Sequence, residues 1–396
     1  MNRDPRQSLP ALIAMVAGIS TAFAAPAGAG GLTDAIRGGT PSLDLRYRYE
    51  TVDQDGIADT AQASTLRTRL GYTTGAFHGA RAVVEFENVA TVEGDEYNST
   101  TNGKAGRPVV ADPAGTELNR AALMASAYGV DATVGRQRIV LGDGRFVGNV
   151  GFRQNEQTYD AVRLDVVPSA SVRATYAYLW RVNDVTFRDT RHDSHLANVA
   201  WHVPGAGVAT AYGYFVNDDG APATGSQTVG LRYAGSYPLG AILFGATAEY
   251  ADLSEFAGSG IGDTSYWLAE VSGSMNGSGV KVGYEVLEGD GTDAFQTPLA
   301  TKHAFNGWAD QFLTTPPGGL ADLMVTLNGA VSGLKLTCVH HVFTSDSGGT
   351  DYGMETDLQA TRAFGPHTVG VAYATYNADD FGTDTDKLWL FAGTAF

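Results

Sequence analysis

The chain has 396 residues, a net charge of −17, only 17% charged residues and one cysteine. That acidic balance excludes a basic nucleic-acid footprint, and a lone Cys338 excludes an internal disulfide. No run of eighteen apolar residues occurs, so no helix is expected to cross a membrane.

The first segment reads as an export signal. Arg3 and Arg6 form a basic start, Leu9 to Ile19 an apolar stretch, and Ala22-Phe23-Ala24 a small-residue cleavage site. The expected signal peptide is 1–24, with cleavage after Ala29 as the alternative.

From about residue 40 to Phe396 short runs alternate apolar and polar residues. Leu43, Leu45, Tyr47 and Tyr49 are interleaved with Asp44, Arg46, Arg48 and Glu50. Period-2 alternation means strands with one apolar and one polar face. The hairpins read as 42–52/62–73, 80–90/118–128, 131–141/157–167, 170–182/194–203, 207–217/226–235, 240–251/264–274, 279–288/321–328, 332–343/351–362 and 367–377/386–396. Gaps within pairs are long (91–117, 142–156, 289–320), whereas those between pairs are tight turns such as Val203-Pro204-Gly205-Ala206. One-sided loops separate this pattern from a soluble sandwich or propeller. The expected fold is all-β: a transmembrane antiparallel β-barrel of 18 strands over 40–396, with short periplasmic turns and long extracellular loops. An apolar C-terminal strand ending in Phe396 looks like the signal read by the barrel assembly machinery. The lipid face would meet outer-membrane lipid and lipopolysaccharide. Tyr176, Tyr178, Trp180, Tyr212, Tyr214, Tyr233, Trp267, Tyr284 and Tyr373 read as its aromatic girdles, while Trp389 and Phe391 break parity toward the lumen.

Function should then lie in the lumen and loops. Arg46, Arg48, Arg67, Arg69, Arg81, Arg120, Arg136, Arg138, Arg163, Arg173 and Arg181 fall on the polar parity of the first half. A turn centred near residue 58 would set Arg48 beside Arg67 and Arg46 beside Arg69, with Glu85 and Glu87 offsetting some of the charge. Inward guanidinium suits an anion-conducting pore, because arginine stays charged and grips carboxylates. The second half offers inward Glu249, Glu270, Glu285, Glu355 and Asp357, with Lys281, Lys335 and Lys387 as the few bases. Either a basic wall faces an acidic one, giving a transverse field, or the charges form ion-pair ladders that stiffen a polar lumen.

Catalytic signatures are missing. There is no G-x-S-x-G, H-E-x-x-H or C-x-x-C, and Gly142-Asp143-Gly144 lacks the third glycine of a dinucleotide loop. Of His340 and His341 at most one reaches the lumen, since strand neighbours point to opposite faces. No enzyme, metal site or cofactor is expected. The acidic loops read as a solvated outer surface. Loop 289–320, with Trp308, Asp310 and Phe312, is long enough to constrict the lumen or cap its mouth, and Arg145 and Arg153 would line the same entrance.

Two stretches resemble the alginate export family of outer-membrane porins. One is Gly135-Arg136-Gln137-Arg138-Ile139-Val140-Leu141-Gly142-Asp143-Gly144-Arg145-Phe146-Val147-Gly148 with Asn155-Glu156-Gln157-Thr158-Tyr159-Asp160-Ala161. The other runs from Thr297-Pro298-Leu299 to Gln311-Phe312. The resemblance implies an eighteen-stranded barrel in the Gram-negative outer membrane with an arginine-rich, anion-selective lumen. Three functions are compatible with it: passive passage of small polar or anionic solutes, export of an alginate-like polysaccharide, and a non-conducting surface barrel. No apolar seam beyond the lipid belt is apparent, so a monomer is expected.

Overall fold

The computed structural model describes residues 31–396; the expected signal peptide lies outside them. A short helix α1 (Leu32–Arg37) precedes eighteen strands. In chain order these are β1 (Thr40–Gln54), β2 (Ala61–Thr73), β3 (Ala80–Glu96), β4 (Gly115–Ala127), β5 (Val130–Gln137), β6 (Thr158–Ser169), β7 (Val172–Asn183), β8 (Asp189–Val203) and β9 (Gly207–Val216). They continue with β10 (Ser226–Leu239), β11 (Ile242–Glu255), β12 (Thr264–Met275), β13 (Ser278–Leu287), β14 (Leu320–Val331), β15 (Leu334–Thr344), β16 (Asp351–Phe364), β17 (His367–Ala378) and β18 (Thr385–Ala395). Each pairs antiparallel with its neighbours in sequence, and β18 returns to β1, so the sheet closes with no free edge. Closure is what a strand needs in hydrocarbon, where unpaired backbone groups find no water.

The alternation resolves into two faces. Leu70 is 59% exposed on the lipid side while its neighbour Arg67 is 5% exposed in the lumen. Turns of a few residues join the strands at one end. The nine loops at the other end, L1 to L9, include L2 (97–114), L3 (138–157) and L7 (288–319). Strand β5 stops at Gln137, four residues short of the expected 141, so Arg138 opens L3 instead of closing a strand.

A barrel of eighteen strands is too wide for wall side chains to meet across it. The buried core is instead made by loops folded inward. Ile139, Phe146, Leu299 and Phe312 from L3 and L7 pack against wall residues including Leu179, Leu196, Tyr212, Tyr266 and Trp389. This accounts for Trp389, whose ring is fully buried edge-on to Phe152 of L3 and His303 of L7. It also corrects two expected girdle residues. Tyr212 and Tyr214 face the lumen, where both meet Phe146. An apolar parity alone cannot tell lipid from a plugged lumen.

The first hairpin also differs from the expected register. Arg46 lies opposite Arg67, Arg48 opposite Thr65 and Asp44 opposite Arg69. The shift gives Arg67 and Arg69 carboxylate partners: Arg67 reaches Asp44 at 2.5 Å, and Arg69 pairs with Glu87 of β3. Like charges stacked without such partners are destabilising across strands.

Candidate functional site

L3 and L7 fold into the lumen and meet there, at a level termed the waist, and wall arginines tie L3 down by its carbonyls. Arg46 donates to the Gly151 carbonyl and the Gln154 side chain, each at 2.9 Å, and also to the Arg153 carbonyl. Arg48 donates to the Phe152 carbonyl at 2.5 Å and pairs with Asp112 of L2. On the far side of L3, Glu156 takes Asn119 at 2.7 Å and Asn149 at 2.7 Å, and pairs with Arg138 and Arg69. Asn119 is the extra residue of a bulge in β4, which turns its amide inward to bridge Glu85 and Glu156. Burial pushes the Glu156 carboxyl up, but Arg69 and Arg138 outweigh it and hold it below its usual range.

L7 is docked at three points. Arg145 reaches across from L3 to grip Glu285 of β13 with two nitrogens, at 2.7 and 3.1 Å, and to meet Asn306 at 2.9 Å. Asn306 in turn donates to Glu285 at 2.7 Å and to Asp322 at 3.2 Å. Burial lowers the Arg145 guanidinium, yet Glu285 prevails and holds it above its ordinary value. The second point is Asp310, whose carboxylate takes Arg153 at 2.7 Å, His303 at 2.7 Å and Lys387 of β18 at 2.8 Å. Against burial, Lys387, His303 and Arg153 hold that carboxyl well below its ordinary value. His303 is lowered by burial despite Asp310, and its ring stacks on Phe152 at 3.6 Å. The third point is Phe312, set among Phe343, Tyr352, Tyr376 and Phe381.

The inward arginines are therefore mostly neutralised. Arg48, Arg67, Arg69, Arg120, Arg138 and Arg163 each have a carboxylate within 4.0 Å. Arg136 and Arg181, expected in the pore, lie on the outward face instead. Arg136 shares the parity of Val134, a bulge before Arg181 flips the end of β7, and both pair with Asp160, out of step with the buried Tyr159 and Ala161. Arg46 is held by carbonyls and an amide instead, while Arg81 and Arg173 are exposed on lumen parity. In the second half Glu249 pairs with Arg232, Glu270 with Lys281 at 2.5 Å and Glu285 with Arg145. Glu355 accepts the Ala309 amide at 2.7 Å, and Asp357 lies 3.7 Å from His341. His341 is the one of the two histidines that faces the lumen, while His340 is exposed. The arrangement reads as interleaved pairs around the ring, not as two opposed sheets of charge. Arg232 was readable in the sequence, since it stands between Leu231 and Tyr233 on polar parity. Asp112, Glu156, His303 and Asn306 sit in loops, where no periodicity marks them.

Two cavities flank the waist. The outer one, 410 Å³, is lined by Arg153, Lys302, His303, Asp310 and Lys387 together with apolar residues such as Val52, Val109 and Leu313. The inner one, 270 Å³, is bounded by Arg145, Glu270, Lys281, Glu285, Trp308 and His341. Of the outer cations, Arg153 and Lys387 are bound to Asp310. Among the described residues Lys302 pairs with no carboxylate, and burial and Arg145 both pull its ammonium below the ordinary value. A lumen wall of polar side chains, closed by loops to small aqueous chambers, can sort solutes by size and charge.

Comparison with known proteins fits this geometry. The alginate export family model matches residues 40–250, more than half of the chain. The chain belongs to the alginate export family. This family member is an outer-membrane barrel of a Gram-negative cell, and its structural neighbours are outer-membrane porins. Among them are OccAB4 and OccAB2 of Acinetobacter baumannii and OccK9 (OpdG) of Pseudomonas aeruginosa, with TM-scores of 0.71, 0.72 and 0.72. They share 13%, 15% and 13% identity with it, over 90%, 92% and 91% of this chain and 98%, 99% and 99% of theirs. At such identities the likeness is one of fold. No curated protein sequence matches the chain significantly.

Proposed function

We propose that this barrel is a passive channel for small polar or anionic solutes, with its filter at the L3–L7 waist. The carrying observation is the outer cavity, a 410 Å³ chamber at which Lys302 stands without a carboxylate partner among the described residues. Neutralised arginines hold the loops in shape, so selectivity falls to the few charges left over. Lys302 is the main one on the extracellular side of the waist. A chamber of this size suits solutes of one or two rings. The inward loops obstruct a continuous polyuronate chain, which is why solute passage is preferred to polysaccharide export. The exporter reading rests on the family name, and a non-conducting barrel has no particular observation in its favour.

The test is planar-bilayer recording in a salt gradient, with uronates and short carboxylates as blockers. A reversal potential on the anion side is expected, reduced toward zero in Lys302→Gln. An inert barrel gives no conductance steps. An anion preference unchanged in Lys302→Gln removes the filter role of that lysine.

A further inference from the structure

A pair of carboxyl groups lies beneath L7 and serves none of its three anchors. Glu355 and Asp357 are two residues apart on β16, hence on one face, and both are fully buried. The Ala309 amide donates to Glu355 Oε1 at 2.7 Å. Gly307, with φ of 90°, lies so close that a Cβ there would run into the same carboxylate, so the L7 backbone rests flush on the pair. Glu355 Oε2 and both oxygens of Asp357 are buried with no hydrogen-bond donor. Each such orphan is costly, and an uncompensated buried charge far more so.

The surroundings do not supply the compensation. From β15, His341 faces Asp357 at 3.7 Å through Nε2, but its Nδ1 is bound to Asp322 of β14 at 2.9 Å. From β17, Tyr376 lies opposite Glu355 with its hydroxyl directed to the Tyr352 and Phe381 carbonyls. Lys387 of β18 is bound by Asp310, itself a further negative charge facing the pair from L7. The Trp308 amide faces Asp357 but falls short of hydrogen-bond geometry. Glu285 of β13 is satisfied by Arg145. Around this spot, then, Glu355, Asp357 and Asp322 have one histidine among them. Glu355 and Asp357 are in turn close enough to hydrogen-bond each other, which two carboxylate ions cannot do.

We propose that Glu355 and Asp357 hold one proton between them at neutral pH, and that this proton keeps L7 seated. One carboxyl donates its O–H to the other, which supplies the missing donor and leaves a single negative charge to receive the Ala309 amide. Two like carboxylates in contact in a dry site cannot both ionise. A metal ion is the competing ligand. Among the described residues no set of three His, Cys, Asp or Glu side chains is placed to hold one, and hard cations require more oxygens than this pair offers. Loss of the proton to solvent puts two charges under the L7 backbone. Their repulsion turns one carboxylate away, removes the seat of Ala309 and lifts the loop from the waist. This regulation rests on the channel reading for its effect on conductance, but the proton itself does not.

Infrared difference spectra and bilayer recordings test the two parts separately. The spectrum of the purified wild-type barrel at neutral pH, minus that of Asp357→Asn, is expected to show a protonated-carboxyl band. Wild-type conductance is expected to rise several-fold from neutral to strongly alkaline pH, while Asp357→Asn and Glu355→Gln, both fixed as neutral donors, stay flat. Faster gel migration before heating verifies that each variant is folded, and Glu355→Gln carries the test if Asp357→Asn is not. Absence of the band overturns the shared proton, and a wild-type conductance that instead follows added calcium assigns the pair to a metal. Superimposable pH profiles of wild type and variants overturn the link to L7. A wild type without conductance rejects the channel reading, and the infrared arm still decides the proton.

Discussion

Replacing Arg145 by methionine isolates the link between the two inward loops. Methionine keeps much of the volume and removes only the guanidinium, which is 4% exposed and bonded to Glu285 and Asn306. Removing one partner of a buried ion pair costs about 3–5 kcal/mol, because the other charge is left stranded. Glu285 here keeps the Tyr266 hydroxyl at 2.7 Å and the Asn306 amide at 2.7 Å, so the loss should fall near the lower end. About 3 kcal/mol corresponds to roughly a hundredfold shift in the equilibrium between docked and undocked L7. Asp310 and Phe312 still hold the loop, so the barrel itself should stay closed and folded. Single-channel recordings of Arg145→Met should show larger and noisier conductance than wild type. Adding Glu285→Gln should restore much of the quiet behaviour, since no unpaired charge then remains. An Arg145→Met channel indistinguishable from wild type, or a double variant no quieter than the single one, would refute the claim that this pair docks L7.

Two further substitutions probe the same waist. Asp310→Asn removes the carboxylate shared by Arg153, His303 and Lys387, so reversal potentials should shift toward stronger anion selectivity. Because the Asp310 carboxyl is held well below its ordinary 3.8, its contribution to docking is fully present above that value. It should be lost only as the pH falls far below 3.8, and the acid response of conductance should flatten in Asp310→Asn. Trp389→Ala empties a fully buried site between Phe152 and His303, at a cost of about 3–5 kcal/mol. Its denaturant midpoint should fall measurably, whereas an unchanged midpoint would mean that the loops do not lean on this ring.

Strand count and closure were legible in the sequence, whereas the parity of Arg136 and Arg181 was misread. Count and closure are written in local alternation, and in a barrel local alternation is nearly the whole fold. The Arg46–Arg67 register was not legible, because it depends on where L1 turns and on Asp44 and Glu87 accepting the guanidinium groups. Tyr212 and Tyr214 misled for a related reason. An aromatic facing a lumen filled by Phe146 looks the same along the chain as one facing lipid headgroups. Loop anchors such as Arg145 with Glu285 join residues far apart in sequence with no period to betray them. Motif content marked L3 and L7 as unusual, but only three-dimensional placement shows that they hold each other.

The position of Trp389 and Lys387 on β18 has a temporal meaning. L7 leans on a ring and an ammonium that enter the lumen only when the last strand pairs with the first. A chain folding strand by strand would lack this part of the L7 seat until the cylinder is sealed. The last L7 contacts therefore form only with closure, so the inward loops of a half-assembled barrel are incompletely held and tighten as the cylinder closes.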